Sequence, residues 1–309
     1  MSALKHRSDI EGLRALAVLP IVVFHAGVSA LSGGFIGVDI FFVISGYLIT
    51  SIILREIAEE RFSIARFYHR RIVRIFPALF VLIAAVLVAG FLLMLPLEFA
   101  DLGRSSAAAV GFLSNVYFWR TLDYFGSAAE TQPLLHTWSL GVEEQFYILY
   151  PILLLLVFRW ASHWLRAALI LLAAVSFGVG AICAIRWPEA GFYLIPARGW
   201  ELALGGLVAI GAFPQIASRL ARQIAAAVGL LLILAGYLFI RSEMAFPVPW
   251  ALLPCVGAAM LIAYGEGSAV GGIMSTGPLR FVGRISYSLY LWHWPLIAFY
   301  RLLTGVRLH

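Results

Sequence analysis

Two side chains that could do chemistry lie inside the first apolar stretch of this sequence, DIEGLRALAVLPIVVFHAG, at residues 9–27. Arg14 and His25 are 11 residues apart, which in an α-helix is three turns plus about 20°. We therefore predict that they share one helix face, roughly 16 Å apart along the axis, and that Glu11 pairs with Arg14. An ionisable residue inside a membrane is a functional candidate by default, so His25 is predicted to act in the site. Arg14 alone is better explained as an arginine that reaches the membrane interface.

An acidic side chain opens the second apolar segment, GGFIGVDIFFVISGYL, at residues 33–48. If this helix runs antiparallel to the first, Asp39 lies about level with His25. A carboxylate at that depth can bind one nitrogen of the imidazole, fix its tautomer and raise its basicity. The alternative is that Asp39 binds helix-end amides beside glycines that permit close helix packing. Both interpretations stay open at this point.

Arginines cluster where the third apolar segment begins, in FYHRRIVRIFP at residues 67–77. Arg71 and Arg74 stand three residues apart, and Arg70 is adjacent. Arginines on one helix face suit phosphate groups, because each guanidinium can bind phosphate bidentately. Alone, the cluster is better explained as a topology signal. It gains weight because we place it on the same side of the membrane as Arg14.

Carboxylates enter another apolar segment in LLHTWSLGVEEQFYILYP, at residues 134–151. This block contains His136, Glu143 and Glu144. Adjacent residues on a helix point to different faces. We therefore expect one of the two glutamates to be internal and the other interfacial.

Two further blocks place polar residues among apolar ones. PARGWELALGG carries Arg198 and Glu201 three residues apart, for which a salt bridge that ties helices together is the better explanation. ISYSLYLWHWPLIAFY carries His293 among aromatic residues, and we interpret it as an interfacial or packing histidine.

The elements that must position these side chains are membrane helices. Of 309 residues, 62% are hydrophobic and 12% charged, and the mean hydropathy is +0.94. A soluble domain has about twice that charged fraction, and runs of roughly 18 to 22 apolar residues match a bilayer core. We predict an all-α, polytopic integral membrane protein with about ten transmembrane helices and one membrane domain over residues 1–309. Cys183 and Cys255 lie in apolar segments and are interpreted as packing residues, not as a disulfide or a metal pair.

The charge pattern predicts an orientation for the first helices. Lys5 and Arg7 precede the first segment, the loop 27–35 carries no charge, and the loop 55–74 is rich in arginine. The N-terminus and the loop 55–74 are therefore predicted to be cytoplasmic, and the net charge of +6 is not interpreted as a nucleic-acid signature. No cleavable signal is expected.

Ten apolar segments are read from the sequence: 10–30, 36–54, 74–95, 103–119, 139–158, 165–185, 196–212, 223–240, 250–264 and 284–303. After residue 95 strict alternation and the positive charges disagree, so segment 103–119 is re-entrant or the later arginines serve another purpose.

The motifs together resemble the membrane-bound acyltransferase family 3, bacterial O-acetyltransferases that act on cell-envelope glycans. Six blocks occur in order and at compatible spacings: DIEGLRALAV, GGFIGVDIFFVISGYLI, RRIVRIFP, HTWSLGVEEQFYILYP, ARGWELALG and ISYSLYLWHWPL. The resemblance implies transfer of an acyl group, usually acetyl, from cytoplasmic acyl-CoA to a sugar hydroxyl of lipopolysaccharide O-antigen, peptidoglycan or exopolysaccharide. It implies that Arg14 and His25 are the functional pair, that Arg71 and Arg74 contact the acyl-CoA, and that Glu143 or Glu144 is the family's acidic residue.

The resemblance also sets the expected mechanism. Arg14, Arg71 and Arg74 would hold the phosphates of the donor, and His25 would act as general base or as transient acyl carrier. We expect acetyl-CoA as donor substrate, no metal, and the bacterial cytoplasmic membrane as location. Many relatives carry an additional extracytoplasmic SGNH-hydrolase-like domain, and we expect none in this chain. The rival interpretation is a proton-coupled transporter or flippase for an anionic glycan intermediate, which the same buried charges would suit.

Overall fold

The computed structural model describes residues 7–122 and 129–305, and within them the chain forms α-helices and short 3₁₀ turns without a β-strand. Lys5, used above for the orientation, lies outside the described residues. The α-helices are α1 Ser8–His25, α2 Gly37–Ala58, α3 Ile64–Leu93, α4 Pro96–Val110, α5 Ser114–Thr121, α6 Thr137–Ala161, α7 Leu165–Arg186, α8 Pro188–Tyr193, α9 Ile195–Ala209, α10 Arg219–Phe239, α11 Leu252–Tyr264, α12 Ala269–Met274 and α13 Gly277–Thr304. The predicted all-α class is confirmed for this part of the chain.

Several helices begin where the sequence supplies a start signal. Proline occupies the first turn of α4, α8, α9 and α13, where its missing amide hydrogen has no helical partner to lose. The side chains of Ser63, Ser218 and Ser268 accept a hydrogen bond from a backbone amide in the first turn of α3, α10 and α12. These caps satisfy amides that would otherwise be unpaired.

Four helical stretches in the described residues are long and apolar enough to cross a membrane: Gly34–Ala58, Ile64–Leu93, Thr137–Arg186 and Arg219–Phe239. The chain is therefore a membrane protein, but the predicted count of about ten spans is not confirmed. Helix α1 is 18 residues long and includes Asp9, Glu11 and Arg14. Helices α9 and α11 contain 15 and 13 residues, fewer than the roughly 20 that a straight span needs.

The predicted segment 103–119 is not one helix. Helix α4 ends at Val110 and α5 begins at Ser114. Between them Phe112 adopts a left-handed φ of 54°, which a continuous right-handed helix does not accommodate. Apolar composition alone does not predict this break, although the charge pattern gave a re-entrant segment here as one of two alternatives.

The first and last helices pack directly against each other and run parallel. Their contact is close at Gly283, where a Cβ atom would lie 1.8 Å from the carbonyl oxygen of Glu11. Helix α1 stops at His25, and Gly27 then takes a φ of 87°, which favours glycine. His25 is thereby held at the end of α1 against α13. In a second close pair, α2 packs against α9.

Candidate active site

The side chain of His25 is buried and hydrogen-bonds to a second histidine. Its Nδ1 lies 3.0 Å from Nε2 of His293, which α13 supplies. The two rings are stacked, with centroids 5.2 Å apart. Of the two ring nitrogens of His25, Nδ1 is bound by His293, and Asp39, which could have held one of them, pairs with Arg198 instead. The sequence predicted an interfacial or packing role for His293, and this hydrogen bond to His25 was not predicted.

A third histidine joins this pair. The ring centroid of His136, at the start of α6, lies 5.9 Å from that of His293. His136 is also buried, and its backbone carbonyl accepts a hydrogen bond from the hydroxyl of Tyr290 at 3.0 Å. We refer to His25, His136 and His293 as the histidine cluster.

Arg301 and Trp294 also contact His25. Arg301 donates to the backbone carbonyl of His25 at 2.9 Å. The indole of Trp294 lies edge-on to His25, with ring centroids 4.6 Å apart, and donates to the carbonyl of Gln132 at 2.7 Å. Both residues belong to α13, which also supplies His293, so this helix provides three of the described contacts of His25.

Asp39 belongs to a different buried cluster. Its carboxylate lies 3.1 Å from the guanidinium of Arg198, which also lies 3.3 Å from Glu201. The salt bridge predicted for Arg198 and Glu201 is confirmed, and through Asp39 it ties α9 to α2. Four aromatic rings surround the guanidinium at 5.2 to 5.6 Å: Phe42, Trp138, Phe192 and Phe246. We refer to Asp39, Arg198 and Glu201 as the carboxylate–arginine cluster.

The two cysteines are free, as predicted for packing residues. Cys255 is buried, and its sulfur lies with carboxylate oxygens of Asp39 and Glu201 in a group of potential ligand atoms that spans no more than 4.8 Å. The guanidinium of Arg198 already supplies the positive charge beside both carboxylates. This group therefore has the character of a structural ion pair, not of a vacant metal site.

A cavity of about 280 Å³ brings together most of the residues that the sequence singled out. It lies between α1, α2, α3, α6 and α13. Its wall includes Arg14, Arg71, Arg74, Glu143 and Glu144. The five side chains come from three helices, and we call this space the arginine cavity.

The described wall of the arginine cavity includes His136 but neither His25 nor His293. His136 therefore connects the two parts of the site, because its ring lies against that of His293 and the residue also lines the cavity. His25 lies beyond His293. The resemblance implied that His25 acts on the acyl group of the donor, whereas the cavity reaches the histidine cluster at His136.

Arg14 points towards α13. Its Nε and one terminal nitrogen donate to the hydroxyl of Ser286 at 3.0 and 2.9 Å. Glu11, predicted as a partner of Arg14, forms an ion pair with Arg280 at 3.1 Å. Since Arg14 and His25 both bind residues of α13, they share the face of α1 that packs on this helix, as the helical period predicted.

The three neighbouring arginines of α3 have different surroundings. Arg70 forms an ion pair with Glu56 at 2.9 Å. Arg71 lies over the ring of Tyr147, 4.5 Å from its centroid. In the described residues neither Arg71 nor Arg74 has a carboxylate within ion-pair distance, so both keep a positive charge towards the cavity.

Glu143 and Glu144 both line the arginine cavity, although the sequence predicted an interfacial and an internal residue. Glu143 accepts hydrogen bonds from the hydroxyls of Ser45 and Tyr147. Glu144 is buried. Adjacent positions differ by about 100° around a helix, and the cavity is wide enough to be bordered by both.

Comparison with known proteins identifies the family. The family described as "Acyltransferase domain" (acyltransferase family 3) matches residues 7–307. The chain belongs to this acyltransferase family. The resemblance in the six sequence blocks is thereby confirmed over nearly the whole chain.

Curated relatives of this acyltransferase include BcsY of Komagataeibacter xylinus, described as a membrane-bound transacylase, which is 37% identical over 98% of this chain and 76% of its own length. The peptidoglycan O-acetyltransferase OatA of Listeria monocytogenes is 32% identical over 95% of this chain and 50% of its own length. The O-acetyltransferase OatA of Staphylococcus aureus is 31% identical over 96% of this chain and 51% of its own length. The chain thus spans about half the length of the two OatA proteins. No solved structure matches this acyltransferase.

Sequence reasoning missed the contributions of α13 to the acyltransferase site. His293, Ser286 and Tyr290 each touch a residue of the histidine cluster or Arg14. A signal was present, since His293 is an ionisable residue within an apolar segment. Its aromatic neighbours instead favoured a position at the membrane interface.

Proposed function

We propose that this chain is a membrane O-acyltransferase that moves an acyl group, most simply acetyl, from acyl-CoA to a hydroxyl of a cell-envelope glycan. The observation that carries the proposal is the arginine cavity, whose wall includes His136 of the histidine cluster together with Arg71 and Arg74. In the described residues neither of these two arginines has a carboxylate within ion-pair distance. An acyl-CoA has the same two-part character, with phosphates at one end and a thioester at the other.

The phosphates of the donor are matched by Arg71 and Arg74. Guanidinium groups bind phosphate oxygens through charge-assisted hydrogen bonds, which are stronger than neutral ones. Arg70 is already neutralised by Glu56, so it is less suited to this task. Arg14 is proposed as a third contact, held in place by Ser286.

The thioester is proposed to react at the histidine cluster. His25 acts as general base on the acceptor hydroxyl or as a transient acyl carrier. In the first case the hydroxyl proton moves to the imidazole while the oxygen attacks the thioester carbonyl. The thiolate of CoA leaves and takes up the proton, so the products are an ester and free CoA thiol. Glu143 and Glu144 are proposed to orient the reacting groups from the cavity wall.

The acceptor is proposed to be a sugar hydroxyl of the cell envelope. Two relatives are named as O-acetyltransferases, one of them for peptidoglycan, which supports a glycan substrate for this chain. Peptidoglycan, lipopolysaccharide O-antigen and exopolysaccharide units offer the same chemical group. We propose the bacterial cytoplasmic membrane as the location, with a cytoplasmic N-terminus, because acyl-CoA is cytoplasmic.

The proposal is tested with purified protein in lipid nanodiscs, acetyl-CoA and a panel of envelope glycans. We expect release of free CoA thiol that depends on the glycan, together with an alkali-labile acetyl ester on the sugar. Movement of a glycan across the membrane without consumption of acetyl-CoA would instead identify a transporter and refute the transfer reaction. The variant His163→Ala changes an exposed histidine between α6 and α7. It is the control for non-specific effects of a histidine substitution on expression and purification.

A further inference from the structure

A chain of hydrogen bonds runs through the two stacked histidines. Nδ1 of His293 lies 2.6 Å from the backbone carbonyl oxygen of Tyr290, and Nε2 of His293 lies 3.0 Å from Nδ1 of His25. Both rings are buried, and the stacked arrangement fixes their relative orientation. The carbonyl of Tyr290 and the imidazoles of His293 and His25 follow one another in this chain of hydrogen bonds, and this order allows the tautomers of both rings to be assigned.

The assignment starts from the carbonyl of Tyr290. A carbonyl oxygen only accepts, so the hydrogen in its contact with His293 must be on Nδ1 of that ring. A neutral imidazole carries one hydrogen, which leaves Nε2 of His293 as an acceptor. The hydrogen between the two rings is then on Nδ1 of His25, and Nε2 of His25 carries the lone pair.

We propose that His293 is a positioning residue that holds His25 in the tautomer whose Nε2 is the basic nitrogen. The inference rests on the proposed acyl transfer, and it adds a residue to that reaction which neither the family match nor the first-helix motif assigns. A backbone carbonyl and a neutral imidazole here do for His25 what a carboxylate does for the histidine of a serine-protease triad.

The proton transfer follows from this arrangement. Nε2 of His25 takes the proton of the acceptor hydroxyl as the oxygen attacks the thioester carbon, and the carbon–sulfur bond breaks. The proton then passes to the departing thiolate, which returns Nε2 to its starting state. Throughout, the hydrogen on Nδ1 of His25 stays directed at Nε2 of His293, which stabilises the imidazolium that forms. Loss of this acceptor removes the hydrogen bond that holds the hydrogen on Nδ1.

The tautomer can be measured directly by nitrogen NMR of isotopically labelled histidine in nanodiscs, with His25 assigned by difference from a His25→Gln sample. We expect Nδ1 of His25 to be protonated and Nε2 to be bare in the wild-type protein. In His293→Phe, which keeps a ring but removes the acceptor, we expect the hydrogen of His25 to move to Nε2. A wild-type protein with the hydrogen on Nε2 of His25, or a tautomer that does not change in His293→Phe, would overturn the proposal.

Kinetics give the second readout. His293→Phe should lower kcat by about 10²- to 10⁴-fold, the range for loss of general acid–base catalysis, with the KM for acyl-CoA unchanged. His293→Gln should recover part of kcat, because its amide oxygen can accept the hydrogen of Nδ1, and His163→Phe serves as the matched control. Wild-type kcat in His293→Phe, or no recovery in His293→Gln, would contradict the positioning role.

The two readouts separate this inference from the proposed function. If wild-type protein transfers no acyl group, the proposed function fails, but the nitrogen spectrum still decides which tautomer His25 adopts. If His293→Phe does not insert into the membrane, His293→Gln carries the test, since it should show the wild-type tautomer of His25. The hydrogen on Nε2 of His25 in that variant would count against the proposal.

Discussion

The histidine cluster and the carboxylate–arginine cluster are both buried polar groups inside apolar helices, but their charges are arranged differently. In the carboxylate–arginine cluster a guanidinium lies within 3.3 Å of two carboxylates and is surrounded by aromatic rings. In the histidine cluster His25 and His293 are hydrogen-bonded to each other, and His136, whose ring lies against that of His293, borders the arginine cavity. Burial alone therefore does not decide which of the two clusters takes part in the proposed reaction.

What distinguishes them is whether the group is already neutralised by its neighbours. A buried ion pair has to be complete, because a charge left alone in an apolar interior is very costly. An imidazole can be neutral and can still accept a proton when a substrate brings one. The comparison predicts that changes in the carboxylate–arginine cluster damage stability and that changes in the histidine cluster damage the reaction.

The largest effect on activity is expected for His25→Ala. Loss of a general base costs about 10²- to 10⁴-fold in rate, and an acyl carrier would be lost completely. Insertion into the membrane should be unaffected, because no buried ion pair is broken. Glycan acetylation in cells and CoA release in nanodiscs measure the effect, and His163→Ala is the control. Normal acetylation by the His25 variant would remove this residue from the reaction.

The opposite behaviour is expected for Arg198→Met. Removal of the guanidinium leaves Asp39 and Glu201 as neighbouring buried carboxylates, and breaking a buried ion pair costs about 3–5 kcal/mol. The yield and the thermal stability of the purified protein should fall sharply. Adding Asp39→Asn and Glu201→Gln in the same chain removes both excess charges and should recover much of the stability.

That triple variant also tests the comparison itself. If the carboxylate–arginine cluster is structural, the triple variant should transfer acyl groups once it folds. A stable triple variant without activity would place Asp39 or its partners in the reaction. A single Arg198→Met variant as stable as the wild-type protein would show that the ion pair contributes nothing.

The sequence predicted relations within a helix better than relations between helices. The shared face of Arg14 and His25 and the pairing of Arg198 with Glu201 follow from the helical period, which local sequence determines. The partners His25 and His293 are 268 positions apart, and their contact depends on which helices are neighbours. Apolar composition cannot specify that, since every membrane helix presents the same kinds of residue to its neighbours and to lipid.

The same limit explains why neither interpretation of Asp39 identified Arg198 as its partner. Asp39 was placed level with His25 because α2 was expected to run antiparallel to α1. A similar depth in the membrane does not by itself identify the partner of a side chain. Helix α2 packs against α9 as well as α1, and α9 supplies a guanidinium. A carboxylate pairs with a cation in preference to a neutral imidazole, because the charged pair is the stronger interaction.

An intermediate effect is expected in the arginine cavity. Replacing Arg71 and Arg74 by Gln should raise the KM for acyl-CoA while kcat changes little, because the phosphates are remote from the reacting carbonyl. Each charge-assisted contact is worth about 1.5–3 kcal/mol, or more than tenfold in affinity. Arg70→Gln is the matched control, since Arg70 is paired with Glu56. An equal rise in KM for the control would mean that these arginines act only through overall charge.

The smallest effect is expected for Ser286→Ala, which removes the acceptor of two hydrogen bonds from Arg14. Arg14 keeps its charge and its place on α1, so only its orientation in the cavity is loosened. Because only the orientation of Arg14 is affected, we expect less than the full value of a charge-assisted contact, a rise of roughly two- to twelvefold in the KM for acyl-CoA, or about 0.5–1.5 kcal/mol. Ser275→Ala is the control, because Ser275 also binds α1, at Ser8, but does not contact Arg14. If Ser286→Ala lowers kcat as strongly as His25→Ala does, Arg14 acts at the reacting group, and the division between a binding cavity and a reacting histidine cluster is wrong.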